Sequence, residues 1–452
     1  MTDNINRREF IKTAGMAGLA MSGLSALAGC SNTPGEVAAG ENAQMTMRTN
    51  PGNGDKVSIL GYGCMRWPMI KDEEGKDIVD QEAVNSLVDY AIEHGVNYFD
   101  TSPVYLQGQS EQATGIALKR HPRESYFLAT KLSNFSNYTR ENSMLMYKKS
   151  FENLQTDYFD YYLLHSIGGG GIEAFNQRFV DNGMIDFLME ERKAGRIRNL
   201  GFSFHGAPKG WDELMATHEQ YHWDFVQIQL NWSDWTHAGK RNTNADYLYA
   251  ELTGRNIPVV VMEPLLGGKL ANPPKHVADR LKEKAPSKSV ASWAFRFAAS
   301  PSNILTVLSG MTYMEHLEDN ISTFSPLVAM DEKEMAFMDE TAELMEKHPT
   351  IKCTRCQYCM PCPYGVDIPG IFSHYNKCVN EGFIVGNPES ENYRKARRAY
   401  LISYDRRIGQ LSQADRCIGC NKCVSKCPQG ISIPWEIRKI DRYIEELRRN
   451  IF

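Results

Sequence analysis

Several things are missing from this 452-residue chain, and each absence removes a class of protein. No charge of one sign dominates. Fifty Lys and Arg face 55 Asp and Glu, a formal net charge of −5, which argues against a nucleic-acid surface. No G-x-G-x-x-G turn occurs, so an open doubly wound dinucleotide-binding sheet lacks its fingerprint. The glycine run Gly168–Gly171 is not followed by a P-loop lysine and reads as a loop instead of a phosphate cradle. The apolar stretch from Ala14 to Gly29 is too short and too weakly hydrophobic for a membrane span, which wants about 20 residues. Cysteine is scarce outside two places. Of 11, only Cys30, Cys64 and Cys378 stand apart from two dense runs.

Those runs are CTRCQYCMPCP, with Cys353, Cys356, Cys359 and Cys362, and CIGCNKCVSKCP, with Cys417, Cys420, Cys423 and Cys427. Each is followed by a similar text, CPYGVDIP and CPQGISIP, the mark of an internal duplication. Zinc knuckles usually take two ligands plus two around one ion; eight cysteines in three-plus-one groups suit cubane clusters better. The region resembles the ferredoxin-type family with two [4Fe-4S] clusters, although the first run has two residues, not three, before its last cysteine. The resemblance implies crossed ligation. Cys353, Cys356 and Cys359 would share one cluster with Cys427, and Cys417, Cys420 and Cys423 the other with Cys362.

Residues 1–30 read as a targeting segment and 31–52 as a flexible, small-residue tether. Arg7-Arg8 before Glu-Phe-Ile-Lys resembles a twin-arginine export signal, and Leu27-Ala28-Gly29-Cys30 a lipobox with Cys30 acylated. The competing site is A-x-A cleavage after Ala28. The expectation is export to the periplasmic or cell-surface side with a lipid anchor at Cys30.

Residues 53–346 alternate eight short apolar runs with amphipathic helical stretches, and the runs are continuous, as strands buried on both faces are. This predicts an α/β fold, a (β/α)8 TIM barrel, with a largely helical, ferredoxin-like iron–sulfur domain over 347–452. Nearly every run ends on a polar residue, and in such a barrel those ends meet at one mouth. A buried, inert Cys64 and Cys378 are expected, as is a final amphipathic helix carrying Trp435, Ile437, Ile440 and Ile444 on or near one face.

Asp100 and Tyr105 in NYFDTSPVY, Lys131 closing FLATK and His165 closing YYLLH stand in order at successive strand ends. In these residues the middle domain resembles an aldo/keto reductase. The resemblance implies Tyr105 as proton donor, Lys131 lowering the phenol's pKa from its usual value of about 10, Asp100 holding Lys131, and His165 orienting the substrate oxygen. It also implies NADP or NAD, with Ser203 and Gln227 at the carboxamide, Met262 where an aromatic usually stacks, and Asp319-Asn320 retained near the phosphate end. Gly310 and His316 replace the usual cations there. The expected function is an exported oxidoreductase interconverting a small carbonyl and an alcohol, with electrons relayed through two [4Fe-4S] clusters from an unidentified redox partner. The alternative is a non-catalytic, surface-anchored barrel whose clusters only brace the fold.

Overall fold

The structure is a computed structural model and describes residues 44–239 and 242–450. Arg7, Arg8 and Cys30 lie outside the described residues.

Among the described residues, twelve strands occur in chain order: β1 (Met47–Thr49), β2 (Lys56–Ser58), β3 (Leu60–Gly63), β4 (Met69–Lys71), β5 (Asp77–Val79), β6 (Tyr98–Asp100), β7 (Phe127–Leu132), β8 (Phe159–Ile167), β9 (Ile197–Phe204), β10 (Phe225–Gln229), β11 (Val259–Met262) and β12 (Ile304–Ser309). β3 and β6 to β12 form a closed parallel barrel in sequence order, shut by pairing of β12 with β3 at Val307 and Leu60. Both faces of these strands are covered, which explains their unbroken apolar text: β12 is buried at every position and β8 at all but one. Inward residues fill the interior, with Tyr98, Tyr161, Phe225, Val260 and Leu305 in one cluster. Gly201 is required there, because a Cβ would run into the Phe225 carbonyl and ring.

The base of the barrel is closed by the β1–β2 hairpin, whose Val57 enters the interior cluster. Asn50 Nδ2 donates to Tyr161 Oη at 3.1 Å beneath the barrel. The tether expected over 31–52 is therefore shorter, since its last residues pair as β1. Their short, polar-flanked text gives too little period to read as a strand.

Helix Glu332–Glu346 opens on a capping box of Asp331 and Glu334. It straps the barrel through a bidentate Arg296–Glu334 pair at 2.8 and 2.7 Å. Beyond it, helices Ile368–Asn380, Tyr393–Arg407 and Ile433–Arg449 enclose a second core. Ile433, Ile437, Ile440, Ile444 and Leu447 form a helical stripe into that core. Trp435 does not share it and is 61% exposed, because two residues from Ile433 lies off the stripe. Cys64 and Cys378 are buried. No helix among the described residues is long and apolar enough to cross a membrane.

Candidate active site at the barrel mouth

The register carries Asp100, Lys131 and His165 to the carboxyl ends of β6, β7 and β8, three adjacent strands. Lys131 Nζ donates to Asp100 Oδ1 at 2.5 Å and to the Thr101 carbonyl at 2.7 Å, with both side chains buried. Burial pushes the Asp100 carboxyl up and pulls the Lys131 ammonium down; their mutual attraction opposes both shifts. Lys131 Nζ lies 5.1 Å from the centre of the Tyr105 ring, and Tyr105 meets His165 edge-on at 5.8 Å. The four residues form one buried constellation.

His165 is held from behind. Its Nδ1 is 2.6 Å from Ser133 Oγ and 3.3 Å from Ser102 Oγ. Arg178 donates to the His165 carbonyl at 2.8 Å and fixes this strand end. Burial, then Lys131 and Arg178, hold the imidazole well below the ordinary histidine range, so it is neutral near pH 7. Only Nε2 faces the mouth.

The mouth is covered by the first cysteine run. Tyr358 Oη lies 3.1 Å from His165 Nε2, close enough to Tyr105 for the two phenols to raise the cost of ionising Tyr105. Burial, then Tyr358 and Asp100, raise the Tyr105 phenol well above its usual value. This corrects the expectation that Lys131 would lower it. Desolvation outweighs the cation here, and Tyr105 stands as a protonated phenol, the form a proton donor needs.

Polar contacts seat the covering segment. Arg66 donates to the Thr354 carbonyl at 2.9 Å, Lys352 to the His237 carbonyl at 2.7 Å, and Lys269 to the Ile351 carbonyl. Gln229 and Gln429 exchange side-chain hydrogen bonds at 2.9 and 3.2 Å. Asn242 donates to the Pro428 carbonyl at 3.0 Å.

Behind this seat, Cys353, Cys356, Cys359 and Cys427 line one cavity, walled by Ile368, Phe372 and Ile433. Cys423 has Cys417, Cys420 and Cys362 as its thiol neighbours. The thiols thus gather in two crossed groups of four. The first group surrounds a space instead of meeting at a point, and no three His, Cys, Asp or Glu among the described residues are set to grip a single ion. Four thiols around an apolar-walled cavity fit a cubane cluster, with sulfur donors throughout.

Comparison with known proteins bears on both halves. Residues 60–343 match the aldo/keto reductase family and residues 352–431 the 4Fe-4S dicluster domain. The chain belongs to the aldo/keto reductase family. This reductase is 25% identical over 320 residues to L-galactose dehydrogenase of Arabidopsis thaliana, covering 66% of the chain and 95% of that protein. In fold, the barrel resembles an aldo-keto reductase from Bacillus halodurans with a TM-score of 0.53 at 22% identity, over 66% of this chain and 96% of that one. It also resembles a Klebsiella pneumoniae aldo/keto reductase solved with NADP and acetate, with a TM-score of 0.52 at 19% identity, over 65% and 94%. The chain is an oxidoreductase of this family that carries a dicluster iron–sulfur domain.

The residues implied at a nicotinamide are unevenly placed in this reductase. Gln227 is buried and its Oε1 has no partner, an acceptor open to a carboxamide N–H. Ser203 Oγ already accepts from the Ser166 amide at 2.7 Å. Asp319 accepts from Ser289 and Asn320 donates to Ser309, so both serve helix packing. Met262 ends β11, partly exposed. A dinucleotide would meet the ring end it needs at Gln227, but residues 351–358 lie across the mouth.

Tyr358, Arg178, Ser102 and Ser133 had not been singled out from the sequence. Tyr358 stood inside a ligand motif, where the cysteines absorb the pattern. The serines and Arg178 reach His165 only through the fold. Trp67 and Trp232 are buried packing groups; Trp67 Nε1 donates to Thr114 Oγ1 at 3.0 Å.

Proposed function

We propose that the chain is an exported oxidoreductase that interconverts a small carbonyl and its alcohol at Asp100, Tyr105, Lys131 and His165, with electrons passing through the two clusters. The observation that carries this is the placement of Tyr358, between cluster cysteines Cys356 and Cys359, in direct contact with the tetrad. A cluster-binding turn touching the orienting histidine, beside the proton donor, makes little sense for clusters that only brace the fold.

Each [4Fe-4S] cluster, when bound, carries one electron at a time. Reduction of a carbonyl to an alcohol takes two electrons and two protons, so two clusters match the electron count. The protein residues manage protons and position. Tyr105, kept as a neutral phenol, delivers one proton to the substrate oxygen, and the second, which completes the new C–H bond, is taken from water. The Lys131–Asp100 pair fixes a positive charge below Tyr105 and stabilises the phenolate that remains. Neutral His165, anchored through Nδ1, orients that oxygen with Nε2. Cys420 is the exposed cysteine of the second group, whereas the first group faces the barrel. Electrons from an outside donor would then enter at the second cluster and leave from the first.

Export and anchoring belong to the same proposal, on the sequence around Arg7, Arg8 and Cys30. Replacing both arginines by lysine should trap a precursor in the cytoplasm, and Cys30→Ala should release the protein from membranes. For the oxidoreductase, the test is anaerobic isolation with iron and sulfide analysis. About eight iron atoms per chain are expected, falling to about half in Cys417→Ser with the barrel still folded. Zinc in place of iron would refute the reading.

A further inference from the structure

The two cysteine runs share a backbone but not a setting. Arg355 and Gln357 have φ of +56° and +66°; their counterparts Gly419 and Asn421 have +74° and +61°. The cluster-binding turn thus repeats. Where the first run has Thr354 buried at 1%, the second has Ile418 at 63% exposure. Where the first has Tyr358, the second has the exposed Lys422. The turn itself does not call for an aromatic ring at this place. Tyr358 is a feature of the face that meets the barrel.

Its hydroxyl takes the contact His165 Nε2 offers at the mouth, at 3.1 Å, and His165 in turn meets the Tyr105 ring edge-on. Its ring lies in an aromatic slot, 5.8 Å from Phe135 and 5.9 Å edge-on from His165. Phe135 also packs on His165 at 5.0 Å and is 38% exposed, so the slot opens outward.

We infer that Tyr358 occupies the seat of the substrate oxygen, and that this seat is shaped for a flat, phenol-sized ring bearing its oxygen at the edge. The substrate class is then planar ring carbonyls and their alcohols, which enter as Tyr358 leaves. This rests on the tetrad being the carbonyl site. A hydroxyl that satisfies His165 Nε2 is displaced readily only by a ligand whose oxygen restores that hydrogen bond. Tyr358 therefore sets specificity against carbonyls that cannot fill the slot.

The test is complementation of the seat in the full, cluster-loaded chain. Tyr358→Ala empties the slot, and p-cresol is the missing side chain as a free molecule. Calorimetry should show p-cresol binding at least about tenfold more tightly to Tyr358→Ala than to the unmodified protein, and about fivefold or more tightly than toluene. Adding Tyr105→Phe should weaken p-cresol by a similar factor and leave toluene unmoved. 4-Methylbenzaldehyde should displace p-cresol at concentrations at least about tenfold below those of hexanal. Equal binding of p-cresol and toluene, no gain over the unmodified protein, or equal displacement by hexanal would overturn the inference. Should Tyr358→Ala fail to fold, Tyr358→Val carries the same expectations. These readouts need no electron transfer. Failure of the oxidoreductase reading would show separately, as missing iron in the unmodified protein.

Discussion

At the scale of single residues, the Lys131–Asp100 contact is the firmest electrostatic feature of the site. The ammonium is fully buried and the carboxylate nearly so, which makes each partner costly without the other. Lys131→Met should destabilise the fold by about 3–5 kcal/mol, the usual cost of leaving one buried charge alone. Asp100→Asn added to it should recover a large part of that loss. Denaturant unfolding of the two single variants and the double variant measures this. Additive losses would mean that the two groups do not act as a pair. A second residue-scale prediction concerns acid. Burial lowers His205 to about 4, against 6.5 for the free side chain. The unfolded chain therefore takes up a proton first as pH falls. Stability from the neutral imidazole is complete above about pH 6.5 and is lost between there and about 4, by up to about 3 kcal/mol. His205→Gln should narrow the stability gap between pH 6.5 and pH 4.5; an unchanged gap would assign acid lability to other groups.

At the scale of elements, the loop after β11 decides how the iron–sulfur domain docks. Gly267 has φ +66°, and a Cβ there would lie 2.5 Å from the Thr354 carbonyl oxygen. Both the left-handed backbone and the close approach require glycine. Gly267→Ala should strain the loop and push residues 351–358 away from the mouth. Hydrogen exchange should then rise across that segment while the barrel strands keep their protection. Unaltered exchange would mean that the Arg66, Lys269 and Gln229 contacts suffice without it. The elements also show what the sequence made legible. Strands β6, β7 and β8 announced themselves because continuous apolar text closes on Asp100, Lys131 and His165, and a parallel barrel gathers strand ends by construction. β1 did not, because three residues carry no period. Trp435 misled because an amphipathic helix near its start admits several neighbouring faces.

At the scale of the whole molecule, the chain is a barrel whose mouth is closed by its own dicluster iron–sulfur domain. That arrangement was not legible from either half. It depends on pairs such as Gln229 with Gln429 and Lys269 with Ile351, far apart in the chain and without periodic signal. Tyr358 was hidden for a related reason: inside a cysteine run, the ligands explain the spacing and leave the intervening residues unread. The closed mouth also gives physical content to the pairing of two cofactor traditions in one chain. On the proposed route, electrons entering at the exposed second cysteine group would end one residue from Tyr358, beside Tyr105.

The central claim is that reducing equivalents reach the tetrad from the clusters, and it is tested most directly by single turnover. The protein would be reduced chemically under anaerobic conditions, freed of reductant, and mixed with an aromatic aldehyde without nicotinamide. Cluster reoxidation would be followed by visible absorption in a stopped-flow instrument, and alcohol quantified afterwards. The account predicts reoxidation with one alcohol formed per two electrons lost, slowed by at least about 10² in Tyr105→Phe, the lower bound for a positioned acid. Clusters that stay reduced, while the same aldehyde turns over when NADPH is supplied, would contradict it.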